Sequence, residues 1–192
     1  MKTFIRDSFI SNKNSSLFYT LSLSFAVIVL FLDICTFLTF STIDLCFALL
    51  AFICFIGLNP KSNDNEILKA LKIFASVALA GVSLSSAIGC LITIAGNFSA
   101  YGFLALLAFL TFCASAVLIL LYSLNLIHVK NFNVIIFIIG IIACSLLFIA
   151  NIIILATFFT AAELFDLLFN MALFVMFYLG IFFDKTNEVK PE

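Results

Sequence analysis

Val134-Ile-Ile-Phe-Ile-Ile-Gly-Ile-Ile-Ala-Cys-Ser-Leu-Leu-Phe-Ile-Ala150 is apolar at odd and even positions alike and carries no charge. A strand of a bilayer-spanning barrel alternates lipid-facing and lumen-facing residues, so this stretch does not suit one; residues 25–32 are as uniformly apolar. A helix satisfies every backbone group within a single apolar segment, and it is the form left. Crossing a hydrocarbon core about 30 Å thick takes roughly 20 such residues.

Working outward, breaks between apolar stretches predict six spans, near 17–39, 42–58, 68–95, 99–127, 132–155 and 160–183. A polar pinch at 39–41 separates the first two, and Gly96-Asn97 favours a turn between the third and fourth. The expected architecture is an all-α integral membrane protein with one six-helix transmembrane domain over 17–183. Residues 1–16 and 184–192 are then read as cytoplasmic segments. The apolar run from Leu17 is too long for a signal-peptide core and no small-residue cleavage site follows, so it is read as retained.

Composition agrees. Of 192 residues 65% are apolar and only 10% charged, far from the usage of soluble domains. Two Pro and seven Gly exclude collagenous and disordered classes. The six cysteines all fall within predicted spans without a CxxC pair, which makes them small packing residues rather than a disulfide or metal framework. A net charge of −1 gives no electrostatic case for nucleic acid, leaving the lipid bilayer as the first expected partner.

Sorting basic residues onto span ends sets the orientation. Lys2, Arg6 and Lys13 precede the first span; Lys61, Lys69 and Lys72 lie between or beside the second and third; Lys130 lies between the fourth and fifth; Lys185 and Lys190 follow the sixth. All fall on one side, which the positive-inside rule makes cytoplasmic. Both termini are then inside, the chain forms three antiparallel helical hairpins, and every cationic side chain is expected at the inner water boundary. In the connection after the second span, Pro60 stops one helix, and Ser62, Asn63 and Asp64 offer caps for the next. The expected location is a bacterial plasma membrane.

The second halves of the hairpins share a phrase in which Phe52, Phe109 and Phe174 coincide, as do Phe55, Phe112 and Phe177. Threefold duplication would explain it. Accidental alignment of helices rich in Phe, Leu and Ala explains it as well, and the incoming helices share no such phrase.

Gly81, Ser85 and Gly89 recur every fourth residue on the third span, followed in step by Thr93 and Asn97. In lipid, such a stripe allows close helix approach, so a packing seam and a central position are expected for this span. Gly140 and Cys144 form a weaker version on the fifth. A hydroxyl-lined solute path is the competing reading.

Asp33, Asp44, Glu163 and Asp166 lie in or beside spans, all in the predicted outer half, with Asn97 and Asn151 at similar depth. A carboxylate at mid-bilayer costs roughly 2.5–3.5 kcal/mol on insertion scales, so it faces the bundle interior, pairs or is neutral. Glu163, Asp166 and Asn170 share one face at spacings i, i+3 and i+7. No Lys or Arg lies in the outer half to neutralise these acids. They can meet water at the interface, share protons as burial and like charge raise their pKa values, or hold a cation with neighbouring amide oxygens.

Enzyme chemistry finds little support. The single histidine, His128, is isolated, and no GxSxG, HExxH, P-loop or GxGxxG pattern occurs. No cofactor is expected. Two functions from different classes remain. One is a small secondary transporter or channel-like protein for a cation or proton-coupled solute, with those acids and Asn97, Asn151 and Asn170 as ligands. The other is a non-catalytic membrane subunit that stabilises a larger complex. Either suits a homo-oligomer or a membrane-complex partner.

Overall fold

The computed structural model describes residues 42–56, 64–129 and 132–157, with single positions between 164 and 178. The described residues form helices and connections, with no strand among them. Four helices are continuous: α1 (Thr42–Ile56), α2 (Glu66–Gly96), α3 (Ala100–Ser123) and α4 (Phe132–Thr157). Further on, Leu164, Leu167, Leu168, Asn170, Met171, Phe174, Val175 and Tyr178 are each helical. The first expected span lies outside the described residues. Three segments are long and apolar enough to cross a membrane: Glu66–Gly96, Ala100–Ser123 and Val134–Ala156. The described part of the protein is therefore all-helical and equipped to span a bilayer.

The start of α2 differs from expectation. Its cap is Asn65, not Ser62, Asn63 or Asp64; the Asn65 side-chain oxygen accepts from the Ile67 and Leu68 amides at 3.0 and 3.3 Å. An Asn at this position meets amides that have no partner inside the helix. At its other end α2 stops at Asn97, whose extended backbone (φ −147°) leaves the helix while its N–H donates to the Thr93 carbonyl. Ser99 then caps α3, its hydroxyl oxygen accepting from the Gly102 amide at 3.0 Å. A Cβ at Gly102 would stand 2.8 Å from Ser99 Oγ, so a larger residue there would displace the capping hydroxyl. A connection of residues 97–99 can join only antiparallel neighbours, and α2 packs most extensively against α3.

The expected span 99–127 ends early, at Ser123. The apolar sequence runs on through Leu126 and Ile127, but Asn125 takes φ 58°. Its amide donates to the Tyr122 carbonyl and the Leu126 amide to the Leu121 carbonyl, both at 3.0 Å. These are the two closing bonds of a Schellman motif, in which Asn takes the left-handed place glycine usually holds. Immediately beyond, the Tyr122 ring stacks on Phe132 at the start of α4, centroids 4.0 Å apart.

Among the described helices α3, not α2, is central. It packs against α1, α2 and α4, burying Ala105, Leu106, Ala108, Phe109, Phe112, Ser115, Ala116, Ile119 and Ser123. The Phe112 ring meets Phe47 of α1 edge-on, centroids 4.9 Å apart at 84°. The aligned phenylalanines of the repeated phrase have unlike surroundings: Phe109 is buried, Phe52 half-buried and Phe174 exposed.

Candidate functional site

The contact face of α2 is built from Lys72, Ala75, Ser76, Leu79, Ser83 and Ala87. These follow i, i+3, i+4, i+7, i+11 and i+15, a stripe winding along one side of the helix. Gly81, Ser85 and Gly89 lie elsewhere on α2 and are exposed; a Cβ added to Gly81 or Gly89 meets nothing within 4 Å. The expected stripe is thus not the seam that α2 uses toward the described helices. Both stripes are rich in small residues. They differ in their larger neighbours, Leu79 lying on the buried side and Leu84 and Ile88 on the exposed one.

Hydroxyl groups on both stripes bond back to their own helix. Ser76 Oγ donates to the Lys72 carbonyl at 2.7 Å, Ser83 Oγ to Leu79 at 2.6 Å, Ser85 Oγ to Val82 at 2.9 Å and Thr93 Oγ1 to Gly89 at 2.9 Å. With its donor occupied in this way, a hydroxyl survives in a low-dielectric setting without an external partner. This favours packing over a hydroxyl-lined path along α2. An exception elsewhere is Ser123 at the end of α3, whose Oγ is buried with no hydrogen-bond partner.

Lys72 departs from the expected position at the water boundary. It is 1% exposed and lies about 9 Å into α2 from Glu66, at roughly 1.5 Å per residue. Its register with Ala75, Ser76 and Leu79 explains the burial, because those residues form the buried stripe of α2. Ser123 and Lys72 are nearly equidistant in sequence from Phe98 at the hairpin tip, so the two buried polar residues occur at one end of the α2–α3 pair. The basic residues marked that end in the sequence; the burial of one of them depended on a packing face the charge pattern does not report.

Of the residues selected from the sequence, Asp33, Glu163 and Asp166 lie outside the described residues. Asp44 is described only as the third residue of α1. Asn97 is exposed at the α2–α3 turn. The other two amides are buried: Asn151 is 9% exposed on α4 and Asn170 3%. They do not share one arrangement with Asn97.

Asn170 borders a cavity of about 370 Å³, lined on the α4 side by Cys144, Ser145, Phe148 and Ile149 and on the other by Asn170, Met171, Phe174 and Val175. Asn151 is seven positions beyond Cys144 on the same side of α4, two turns further along. Asn170 Oδ1 is buried and has no hydrogen-bond partner. The Ser145 hydroxyl nearby donates to the Ile141 carbonyl at 2.8 Å, so its proton is already engaged. The apolar half of this site was not foreseen, although Asn170, Met171, Phe174 and Val175 stand at helical spacing and Cys144 and Ser145 at the matching height.

No group of three or more His, Cys, Asp or Glu residues suited to a metal occurs among the described residues, and the described cysteines, Cys46, Cys54, Cys90, Cys113 and Cys144, are free thiols. Comparison with protein-family models, curated proteins and solved structures gives no match for this chain.

Proposed function

We propose that the chain is a small multi-pass protein of a bacterial plasma membrane that moves a proton-coupled solute or a cation, acting as a secondary transporter or in a channel-like manner and not as an enzyme. In this reading Asp33, Asp166 and Glu163 exchange the proton or hold the cation, and Asp44 sets the field at the outer approach. Asn151 and Asn170 supply neutral groups to the solute, while Asn97 stands at the outer turn. The observation that carries the reading is Asn170, an amide within apolar helix, buried, whose side-chain oxygen meets no donor. An unmet buried acceptor costs about 1–3 kcal/mol, and polar groups inside a membrane segment are kept where a ligand or partner uses them.

Uptake into proteoliposomes under an imposed pH gradient tests it, together with thermal stability measured with and without added cation. Asp33→Asn or Asp166→Asn is expected to abolish the ion response or the proton-coupled uptake while the protein still inserts. If both variants keep the wild-type response and a second protein co-purifies with the wild type, the chain is instead a non-catalytic membrane subunit. One observation favours that second reading: the exposed Gly81, Ser85 and Gly89 stripe, a face on which another helix can approach closely.

A further inference from the structure

We infer that the tip of the α2–α3 hairpin, Gly96 to Phe103, is a lipid-contacting surface that seats in the headgroup layer on the side of the membrane away from Lys72. The inference is independent of the solute-carrying reading. It requires only that α2 and α3 cross a bilayer.

Length and charge set the depth of the tip. Between Lys72 and Lys130 there is no Asp, Glu, Lys or Arg, so the hairpin carries formal charge only where its two ends meet those lysines. Its 24-residue α3 is about 36 Å long at about 1.5 Å per residue, against a hydrocarbon core about 30 Å thick. With the lysine end at one water boundary, the tip reaches the other and goes little beyond it.

The chemistry of the tip suits that depth and neither alternative. Phe98 is 74% exposed, Tyr101 and Phe103 are exposed with it, and the Phe98 and Phe103 rings lie 6.3 Å apart as one aromatic patch. Bulk water would hydrate the whole of that patch, which apolar surface resists. Hydrocarbon would fail the backbone instead. Ser99 serves the Gly102 amide through its hydroxyl and the Phe103 amide through its carbonyl, and the Thr93 carbonyl accepts from Asn97. No hydrogen bond among the described residues reaches the carbonyls of Ile94, Ala95 and Gly96. A helix end needs outside donors for such groups, and lipid tails supply none. The headgroup layer offers an apolar floor and hydrogen-bonding groups together, which is why rings such as Tyr101 collect there.

The test exploits the lack of Trp in the chain, since one introduced indole then reports its own depth. Full-length Phe98→Trp and Leu110→Trp are placed in phosphatidylcholine vesicles spin-labelled either on the headgroup or near the end of the acyl chain. Leu110 is 47% exposed and about 15 Å into α3 at about 1.5 Å per residue. Phe98→Trp is expected to be quenched several-fold more by the headgroup label, and Leu110→Trp several-fold more by the chain-end label. Acrylamide in the water is expected to quench Phe98→Trp well below a free tryptophan amide. Full acrylamide quenching with no response to either lipid label puts the tip in water and overturns the inference. A preference of Phe98→Trp for the chain-end label puts the tip in the core and does the same. Indifference to lipid labels and acrylamide alike, the result a second protein or a second copy covering the tip would give, also overturns it. Should Phe98→Trp fail to fold, Phe103→Trp is read against Leu110→Trp with the same expected order.

Discussion

Asn125 and Ser123 stand two residues apart, and each shows how a single side chain shapes the end of α3. Asn125 sits at φ 58°, a conformation that costs most L-residues roughly 1–2 kcal/mol and that Asn tolerates. Asn125→Val is therefore expected to lower stability by about that amount, read as a reduced thermal midpoint in detergent, whereas Asn125→Gly leaves it unchanged or raises it. Ser123 is the opposite case, because its buried Oγ adds a polar atom and gains no bond. Ser123→Ala is expected to be neutral or stabilising by up to about 1 kcal/mol; a clear loss of stability would show that the hydroxyl meets a donor or acceptor after all. At this scale the sequence was legible where spacing alone carried the information: Asn170 was selected because it fell in register on an apolar helix, and it is buried. It was not legible where burial depended on a neighbour, as with Lys72, which charge counting places in water and the packed helices bury.

Helix identity and approximate length were the clearest part of the sequence, since α1, α2 and α4 begin within two residues of their expected starts. An unbroken apolar segment leaves the backbone few alternatives, which is why that inference is robust. Choosing a contact face was harder. On α2 two stripes of small residues compete, and the buried one contains Ser83 while the exposed one contains Ser85. Ser83→Leu is expected to force the α2–α3 pair apart at a cost of about 1–3 kcal/mol. Ser85→Leu, on the free face, is expected to change the stability of the isolated protein by no more than about 0.5 kcal/mol. Thermal melts of the two variants side by side decide which stripe is the seam. If Ser85→Leu alone also abolishes co-purification of a second membrane protein, the exposed stripe is an intermolecular contact and the subunit reading gains.

Across the whole molecule composition conveyed helical class and helices able to span a membrane, whereas the orientation expected from the nine basic residues is a matter for experiment. Orientation yields a direct expectation: tags fused to the two termini should be protected together from an impermeant reagent in right-side-out vesicles. Labelling of only one tag removes the three-hairpin topology and with it the common depth of Asp33, Asp44, Glu163 and Asp166. The apolar cavity was hidden in the sequence for a physical reason. It is a failure of two helices to fill the space between them, and apolar residues that leave a gap are indistinguishable in composition from those that close one.

The tight link at residues 97–99 has a geometric result. Because it holds the ends of α2 and α3 level, the difference between 31 and 24 residues must emerge entirely at the opposite extremity, an overhang of roughly 10 Å at about 1.5 Å per residue. Beginning with Glu66 and Ile67, the protruding stub carries water-seeking and oily side chains together. α2 thus outreaches its shorter neighbour by about two turns at the end away from the tight link.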